Sequence, residues 1–417
     1  MLKVNGPIAH AHEPTPPQAQ SVTRSRSTNT LLYLAGHGDA LGAHLRRRRG
    51  ADDRGELALT YSGRVLDACK QLGIRVHCIA ARPDGRCFRE GDLAIEEVKI
   101  PLRSSGGLWY HLGQLIHAVK IVRRARKVRP QMALISTAGH WFMYVPLSWM
   151  GVRIVPSLHN TLWPNGCRPR TVIARLTQRL NGWFWKNHVY ATLVVSDECA
   201  RQVRELAGEL RSPIHVAVAQ YPTDLPSPKP VPPRPPFRVL FAGRIEGNKG
   251  IWDVLNAAEL LDRRSSGAVH WTFAGRGSDL DALQSEVRLR GLGGIVTCVG
   301  HLSPDHYLAA IDASHVVLSP TTSNFCEGLQ KVAVEGILRC RPVITTRFSN
   351  ALDRFGDAIE ECEERSAESI ASKVELLANN DVIYQSRQSA SNRLRSMLFN
   401  EQVCYGSLFR RLVASDE

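Results

Sequence analysis

The stretch Tyr221-Pro-Thr-Asp-Leu-Pro-Ser-Pro-Lys-Pro-Val-Pro-Pro-Arg-Pro-Pro236 runs directly into Phe237-Arg-Val-Leu-Phe-Ala242. Eight of the sixteen residues in its first part are proline. Proline fixes φ and has no N–H for a ladder, so this part is a stiff connector. The six residues after it are mostly apolar and β-prone, the pattern of a buried strand. A rigid connector in mid-chain divides the sequence in two, and the pattern on either side decides the fold.

Both sides show the same alternation. Leu31–Ala35, Ile74–Ala80, Met132–Ser136, Val152–Leu158, Thr192–Ser196 and Ile214–Val218 read as strands before the connector. Phe237–Ala242, Val269–Ala274, Ile295–Val299, His315–Ser319 and Pro342–Thr346 read as strands after it. In the first half, helical periodicity fills Tyr61–Leu72, Leu108–Val128, Trp141–Met150, Thr171–Asn187 and Asp197–Leu210. Strand–helix alternation predicts parallel sheets covered on both faces. The expected class is therefore α/β, with two doubly wound Rossmann-like domains facing each other across a cleft. The expected division is a polar, disordered tail at 1–29, a domain at 30–220, the linker at 221–236 and a second domain at 237–385. A helical segment at 386–417 is expected to pack back on the first domain.

Bulk composition narrows the function. A hydrophobic content of 43% supplies two cores, yet no apolar run approaches the ~20 residues of a spanning helix. Met1–Thr30 lacks the apolar segment of a secretory signal, which predicts a cytoplasmic protein. The ten cysteines include no C-x-x-C pair. Cys69, Cys78 and Cys87 are evenly spaced but lack the tight pairing of a zinc site, so reduced thiols and no metal are expected. The net charge of +14 asks for an acidic partner. No nucleic-acid module is recognisable, which leaves phosphorylated small molecules or an anionic membrane surface.

Three loops of the second half carry the chemistry. Gly243-Arg-Ile-Glu-Gly-Asn-Lys-Gly250 follows a strand and presents Arg244 and Lys249 among glycines, a setting for a phosphorylated ligand. Gly275-Arg-Gly277 follows the next strand, and Asp279 and Asp281 read as cap and macrodipole partners of the helix after it rather than as metal ligands. Finally Asn324-Phe-Cys-Glu-Gly-Leu-Gln-Lys-Val-Ala-Val-Glu-Gly336 reads as a loop passing into a helix at Gly328. Glu327 then lies in the loop, and the N–H groups of Leu329, Gln330 and Lys331 form an anion site. Glu335 lies roughly 10 Å further along the helix axis.

The ordered set G-R-x4-K-G, G-x-G, Gly300, S-P and E-G-L-x-K-V-x-x-E over Phe237 to about Asn379 resembles the C-terminal half of retaining GT-B glycosyltransferases of family 4. The Glu-x7-Glu signature of that family corresponds to Glu327 and Glu335. The resemblance implies transfer of a sugar from a nucleotide-diphosphate sugar to a hydroxyl of a glycan or lipid-linked acceptor, without a metal or other cofactor. It implies that Arg244 and Lys249 hold the diphosphate and that Glu327 stabilises the reacting centre. It further implies that Glu335 binds the ribose, that Leu329 and Gln330 offer amides, and that Gly300 and His301 meet the base. Gly336, Gln330 and Cys326 depart from the usual family residues and leave the donor's identity open.

The first half matches more loosely. His159 ends a strand at the cleft and is placed to orient or activate the acceptor hydroxyl, as a family histidine does at the matching strand. The resemblance implies that Gly36 and Gly38 touch diphosphate and acceptor. The next helix is expected only near Tyr61, which puts Arg46–Arg49 in a long inserted loop. Leu108–Pro130 and Thr171–Asn187 read as basic amphipathic helices. Leu112, Leu115, Ile116, Val119 and Val122 on the first either cover the sheet or lie on an anionic membrane. Two other functions compete with transfer: a nucleotide-sugar epimerase of the same architecture, and a non-catalytic binder of sugar nucleotides or polyanions.

Overall fold

The structure is a computed structural model that describes residues 29–49, 57–102, 106–136 and 139–414. The tail expected at 1–29 lies, but for Asn29, outside the described residues. The first sheet has eight strands: β1 (Thr30–Gly36), β2 (Arg75–Ala80), β3 (Cys87–Glu90), β4 (Leu93–Glu97), β5 (Met132–Ile135), β6 (Arg153–Leu158), β7 (Thr192–Val194) and β8 (Ile214–Val216). Their spatial order is β3-β4-β2-β1-β5-β6-β7-β8, parallel except for the β3–β4 hairpin. The second sheet, β9 (Phe237–Ala242), β10 (Val269–Ala274), β11 (Val296–Gly300), β12 (Val316–Ser319), β13 (Val343–Thr345) and β14 (Ile359–Glu361), is ordered β11-β10-β9-β12-β13-β14. Every pair in it is parallel.

Helices join the strands. In the first half they are α1 (Ala40–Arg48), α2 (Tyr61–Gln71), α3 (Gly107–Val128), α4 (Val145–Trp149), α5 (Val172–His188) and α6 (Asp197–Ala207). In the second they are α7 (Ile251–Arg264), α8 (Leu280–Leu289), α9 (Pro304–Asp312), α10 (Lys331–Leu338), α11 (Leu352–Phe355), α12 (Ala367–Asn379) and α13 (Asp381–Arg395). The last helix, α14 (Tyr405–Ala414), packs on α2 and β7 of the first half, and Val218 bridges to Cys404 beside it.

In each sheet the chain winds outward one way and then returns to the other side of its first strand. The reversals fall between β1 and β5 and between β9 and β12. Loops leaving such neighbouring strands diverge, which opens a crevice at their C-terminal ends. The two crevices meet. A Cβ on Gly328 would lie 2.0 Å from the His159 carbonyl oxygen. Arg201–Asp353 (2.7 Å) and Arg354–Asp197 (3.1 Å) also join the halves.

The Pro-rich linker is fastened by two arginines with almost no exposed surface. Arg339 pairs with Asp312 and donates to the carbonyls of Pro226 and Ser227. Arg341 donates to the carbonyls of Lys229, Pro230, Asp312 and Ser314. A proline-rich chain offers many carbonyls and few donors, so buried guanidinium groups, each with five donors, are suited to satisfy it.

Three expectations need correction. Arg46–Arg48 belong to α1 and Arg49 is its C-cap, instead of lying in a loop. Asp39 caps the helix through Gly42 N–H (3.0 Å), Arg47 meets Asp67 of α2 (2.6 Å) and Arg48 meets Glu90 of β3 (2.8 Å). The acids that meet Arg47 and Arg48 are thus remote in sequence, and the run also sits at the helix C-terminus, where positive charge is favoured. Residues 50–56 of the same insert lie outside the described residues. The helix expected from Gly328 begins at Lys331, with Gln330 as its N-cap residue. On α3, Leu112, Leu115, Ile116 and Val119 face outward, not onto the sheet. The buried side carries Gly113, His117, Ala118, Ile121, Val122 and Ala125. Small residues let the helix approach closely: a Cβ on Gly113 would meet the Pro101 carbonyl oxygen at 2.1 Å.

Candidate active site

The cleft between the halves holds a cavity of about 740 Å³. Its second-half wall comes from the ends of β9, β10 and β12, the start of α9 and the start of α10. Arg244, Lys249, His301, Glu327, Leu329, Gln330 and Glu335 all reach it, and His159 faces them from the end of β6. Sequence reasoning names each of these eight residues.

Lys249 is nearly buried, and its Nζ pairs with Glu327 Oε2 at 2.6 Å. The ammonium also lies 4.1 Å from the centroid of the Phe325 ring, and the Arg244 guanidinium lies 5.0 Å from it. Arg244 is half-exposed and pairs with Glu246 (2.8 Å). One aromatic ring therefore gathers both cations at the mouth of the β9 loop. The backbone of Glu327 is held from two directions. Its carbonyl accepts from Thr161 Oγ1 (3.1 Å) in the first half and from Asn350 Nδ2 (2.6 Å) in the second.

The Lys249 turn has its own fastening. Asp279 Oδ2 accepts from Gly247 N–H at 2.8 Å, and Asp279 makes no side-chain cap to α8. The cap expected of Asp279 is therefore corrected: the β9 loop lies close enough to claim the carboxylate first. Gly275 and Gly277 have a packing reason as well. A Cβ on either would lie 1.7 Å from the Gly243 carbonyl oxygen or 2.2 Å from that of Ile245.

Glu335 sits in the second turn of α10, and its Oε2 accepts from Tyr307 Oη (2.9 Å) on α9. Burial and the neighbouring Glu335 charge push the Tyr307 phenol well above its ordinary pKa, so it remains a donor. The start of α10 lines the cavity through Lys331 and Val332. Gln330 differs from expectation. Its N–H donates to Ser349 O (3.0 Å), and its side chain bonds Ser319, Thr321 and Thr345. That amide is already used to tie the ends of β12 and β13 to the helix, so it is not part of the anion site.

His159 Nε2 lies 3.0 Å from Ser157 Oγ, which in turn bonds Tyr405 Oη at 2.7 Å. The ring packs 4.5 Å from Tyr61. Its Nδ1 is buried and has no hydrogen-bond partner among the described residues. Burial, followed by the Lys331 charge, brings its pKa down to about 4, so the imidazole is neutral at pH 7. A neutral ring with one unsatisfied nitrogen suits a hydroxyl partner.

Gly36, Gly38 and Gly300 do not line the cavity. Gly36 ends β1 beside the Ser136 carbonyl, and the chain turns at once into α1. Gly300 accepts from Gly275 N–H (2.7 Å) and thereby sets His301 on the wall. The sequence reading missed Tyr61, Arg276, Tyr307 and Phe325. Only Arg276, inside its G-x-G, and Phe325, two residues before Glu327, carried a local signal. Among the described residues, no group of three or more His, Cys, Asp or Glu side chains is arranged to hold a metal.

Two family profiles match this chain in succession. Residues 60–217 match the family described as Glycosyltransferase Family 4, and residues 226–397 match Glycosyl transferases group 1. The chain belongs to the group 1, family 4 type of glycosyltransferases. The profiles part at the linker and together span most of this family member. Solved structures agree on its GT-B fold at low identity. Sucrose-phosphate synthase from Thermosynechococcus elongatus superposes with a TM-score of 0.65 at 16% identity, over 93% of this chain and all of that one. HepE of Anabaena, in complex with UDP, gives 0.60 at 16% identity over 93% and 100%. Glycogen synthase of Mycobacterium tuberculosis is 26% identical over 164 residues. That match spans 39% of the chain and 39% of the synthase. No described helix of this glycosyltransferase family member is long and apolar enough to cross a membrane.

Proposed function

We propose that the chain transfers a sugar from a nucleoside-diphosphate sugar to a hydroxyl of a glycan or lipid-linked acceptor, with retention at the anomeric carbon. The observation that carries this reading is the Lys249–Glu327 pair beside the N-terminus of α10, with Glu335 one turn further in. Cations and amides on one side, with carboxylates at two depths, suit a ligand that is anionic in the middle and rich in hydroxyls at both ends. A HepE structure with UDP and glucose bound supports the donor class. The residues on either side of 221–236 are read as the acceptor-binding and donor-binding units.

In this reading the diphosphate displaces Glu327 from Lys249 and lies between Lys249, Arg244 and the first amides of α10. Charge that develops on the departing phosphate oxygen is met by donors already in place, so no metal is needed. Glu327, released from its partner, stabilises positive charge on the sugar ring. The C–O bond to phosphate breaks and a C–O bond to the acceptor forms on the same face. The acceptor's proton passes to the departing diphosphate. Glu335, steadied by Tyr307, binds the ribose hydroxyls, and His301 borders the base. His159 orients the acceptor hydroxyl through its unpaired nitrogen.

A panel of UDP-, GDP- and ADP-sugars, tested for saturable binding and slow donor hydrolysis, checks the assignment. Lys249→Ala is expected to lower kcat/KM by about 10²–10³, the scale for removing one preorganised donor to a developing anion. Transfer should continue in excess chelator, and NMR of the product should show the donor's anomeric configuration. No binding by any donor, or unchanged transfer by Lys249→Ala, would sink the proposal.

A further inference from the structure

We propose that the outer faces of α3, α4 and α5 form a docking surface for an anionic lipid bilayer. On α3, Leu108, Trp109, Leu112, Leu115, Ile116 and Val119 are exposed, Leu108 at 82%. At 100° per residue they share an arc of about 120°, opposite the buried side of the helix. Among the described residues, nothing covers this stripe. On α5, Val172, Ile173, Leu176 and Trp183 are exposed along one stripe in the same way. Between the two, α4 touches both helices and ends in the exposed pair Trp149 and Met150.

Charge identifies the occupant. None of α3, α4 or α5 contains an aspartate or a glutamate. The outer arc of α3 passes from leucines into exposed Lys120, Arg123, Arg126 and Lys127, and exposed Arg175, Arg179 and Lys186 flank the apolar stripe of α5. None of these seven cations has an acidic partner among the described residues. Elsewhere basic residues do find acids, as Arg47, Arg48, Arg264 and Arg290 show. A protein interface would be expected to match some of these cations with carboxylates of its own. A face combining aliphatic side chains, tryptophans and unopposed cations instead matches the boundary between acyl chains and phosphate headgroups. A second copy would oppose one basic face to another at a two-fold contact, which is repulsive.

The test uses the full chain and sedimentation with vesicles of phosphatidylcholine alone or in equal parts with phosphatidylglycerol. Binding is expected to the anionic vesicles and not to the neutral ones, and to weaken in high salt. Leu108→Glu/Leu115→Glu and, separately, Arg175→Glu/Arg179→Glu should each lower the partition at least tenfold. Leu289→Glu, at an 80% exposed leucine in the other half, should bind as the parent does. Thermal unfolding of each variant shows that the fold is kept. Failure of the parent to bind anionic vesicles, or full binding by Leu108→Glu/Leu115→Glu, overturns the proposal. So does a concentration-dependent dimer that the same double variant abolishes while no vesicle is bound. None of these readouts uses a sugar donor, so their failure would leave the reading of the cleft untouched.

Discussion

Gly328 shows how much of this site turns on single atoms. The residue separates Glu327 from α10, and a methyl group there would have to occupy the space of the His159 carbonyl and the Val195 side chain. The two halves can meet around Glu327 only because that methyl is missing. Gly328→Ala is therefore expected to cost about 1–3 kcal/mol, the scale of overpacking, and to weaken donor binding by displacing Glu327. Urea denaturation together with donor titration checks both. A neutral outcome in both would mean that the halves are not in contact at this point. Glu327 and Glu335 were legible in sequence because a loop and one helix set their spacing. Tyr307 was not, since it lies 28 residues before Glu335 and joins it only when α9 packs beside α10.

At the scale of elements, local pattern named most strands correctly and misjudged surfaces and starts. The β9, β10 and β12 runs are mostly apolar and bounded by glycine or proline, so their reading needed no partner. The helix at α1 was missed because its arginines are neutralised by Asp67 and Glu90. The face of α3 was left open between sheet and membrane because the helix is apolar on both sides, and only close packing at Gly113 shows which side is inside. The linker adds a case in which composition predicted stiffness but not its anchoring. Arg339→Met would leave Asp312 buried without its partner and two linker carbonyls unsatisfied. The expected loss is about 3–5 kcal/mol, measurable by urea denaturation, with Arg263→Met, at an exposed side chain of α7, as the neutral comparison.

At the scale of the whole molecule, four histidines couple folding to pH. His117, His140, His159 and His315 all have pKa values brought down to about 4, with burial as the largest cause in each. In the unfolded chain they titrate near 6.5. Between these values the unfolded state binds more protons than the folded one, so stability rises with pH across that window. Unfolding midpoints in urea are thus expected to fall steadily as pH is lowered from 6.5 toward 4. His315→Gln should flatten part of that slope. A midpoint independent of pH in this range would show that these rings are protonated in the fold.

By itself the sequence determined the two-part α/β plan, the position of the connector and several residues of the second-half wall, among them Arg244, Lys249, Glu327 and Glu335. Each of these depends on period, proline content or short spacing, which are local properties of a chain. Only the tertiary structure decided that Lys249 is paired with Glu327 and that Asp279 holds a loop rather than a helix. It also decided that the Gln330 amide is spent inside the fold and that the apolar side of α3 faces outward. Those outcomes depend on which distant carboxylate, carbonyl or ring comes within bonding distance, and that competition is settled by packing.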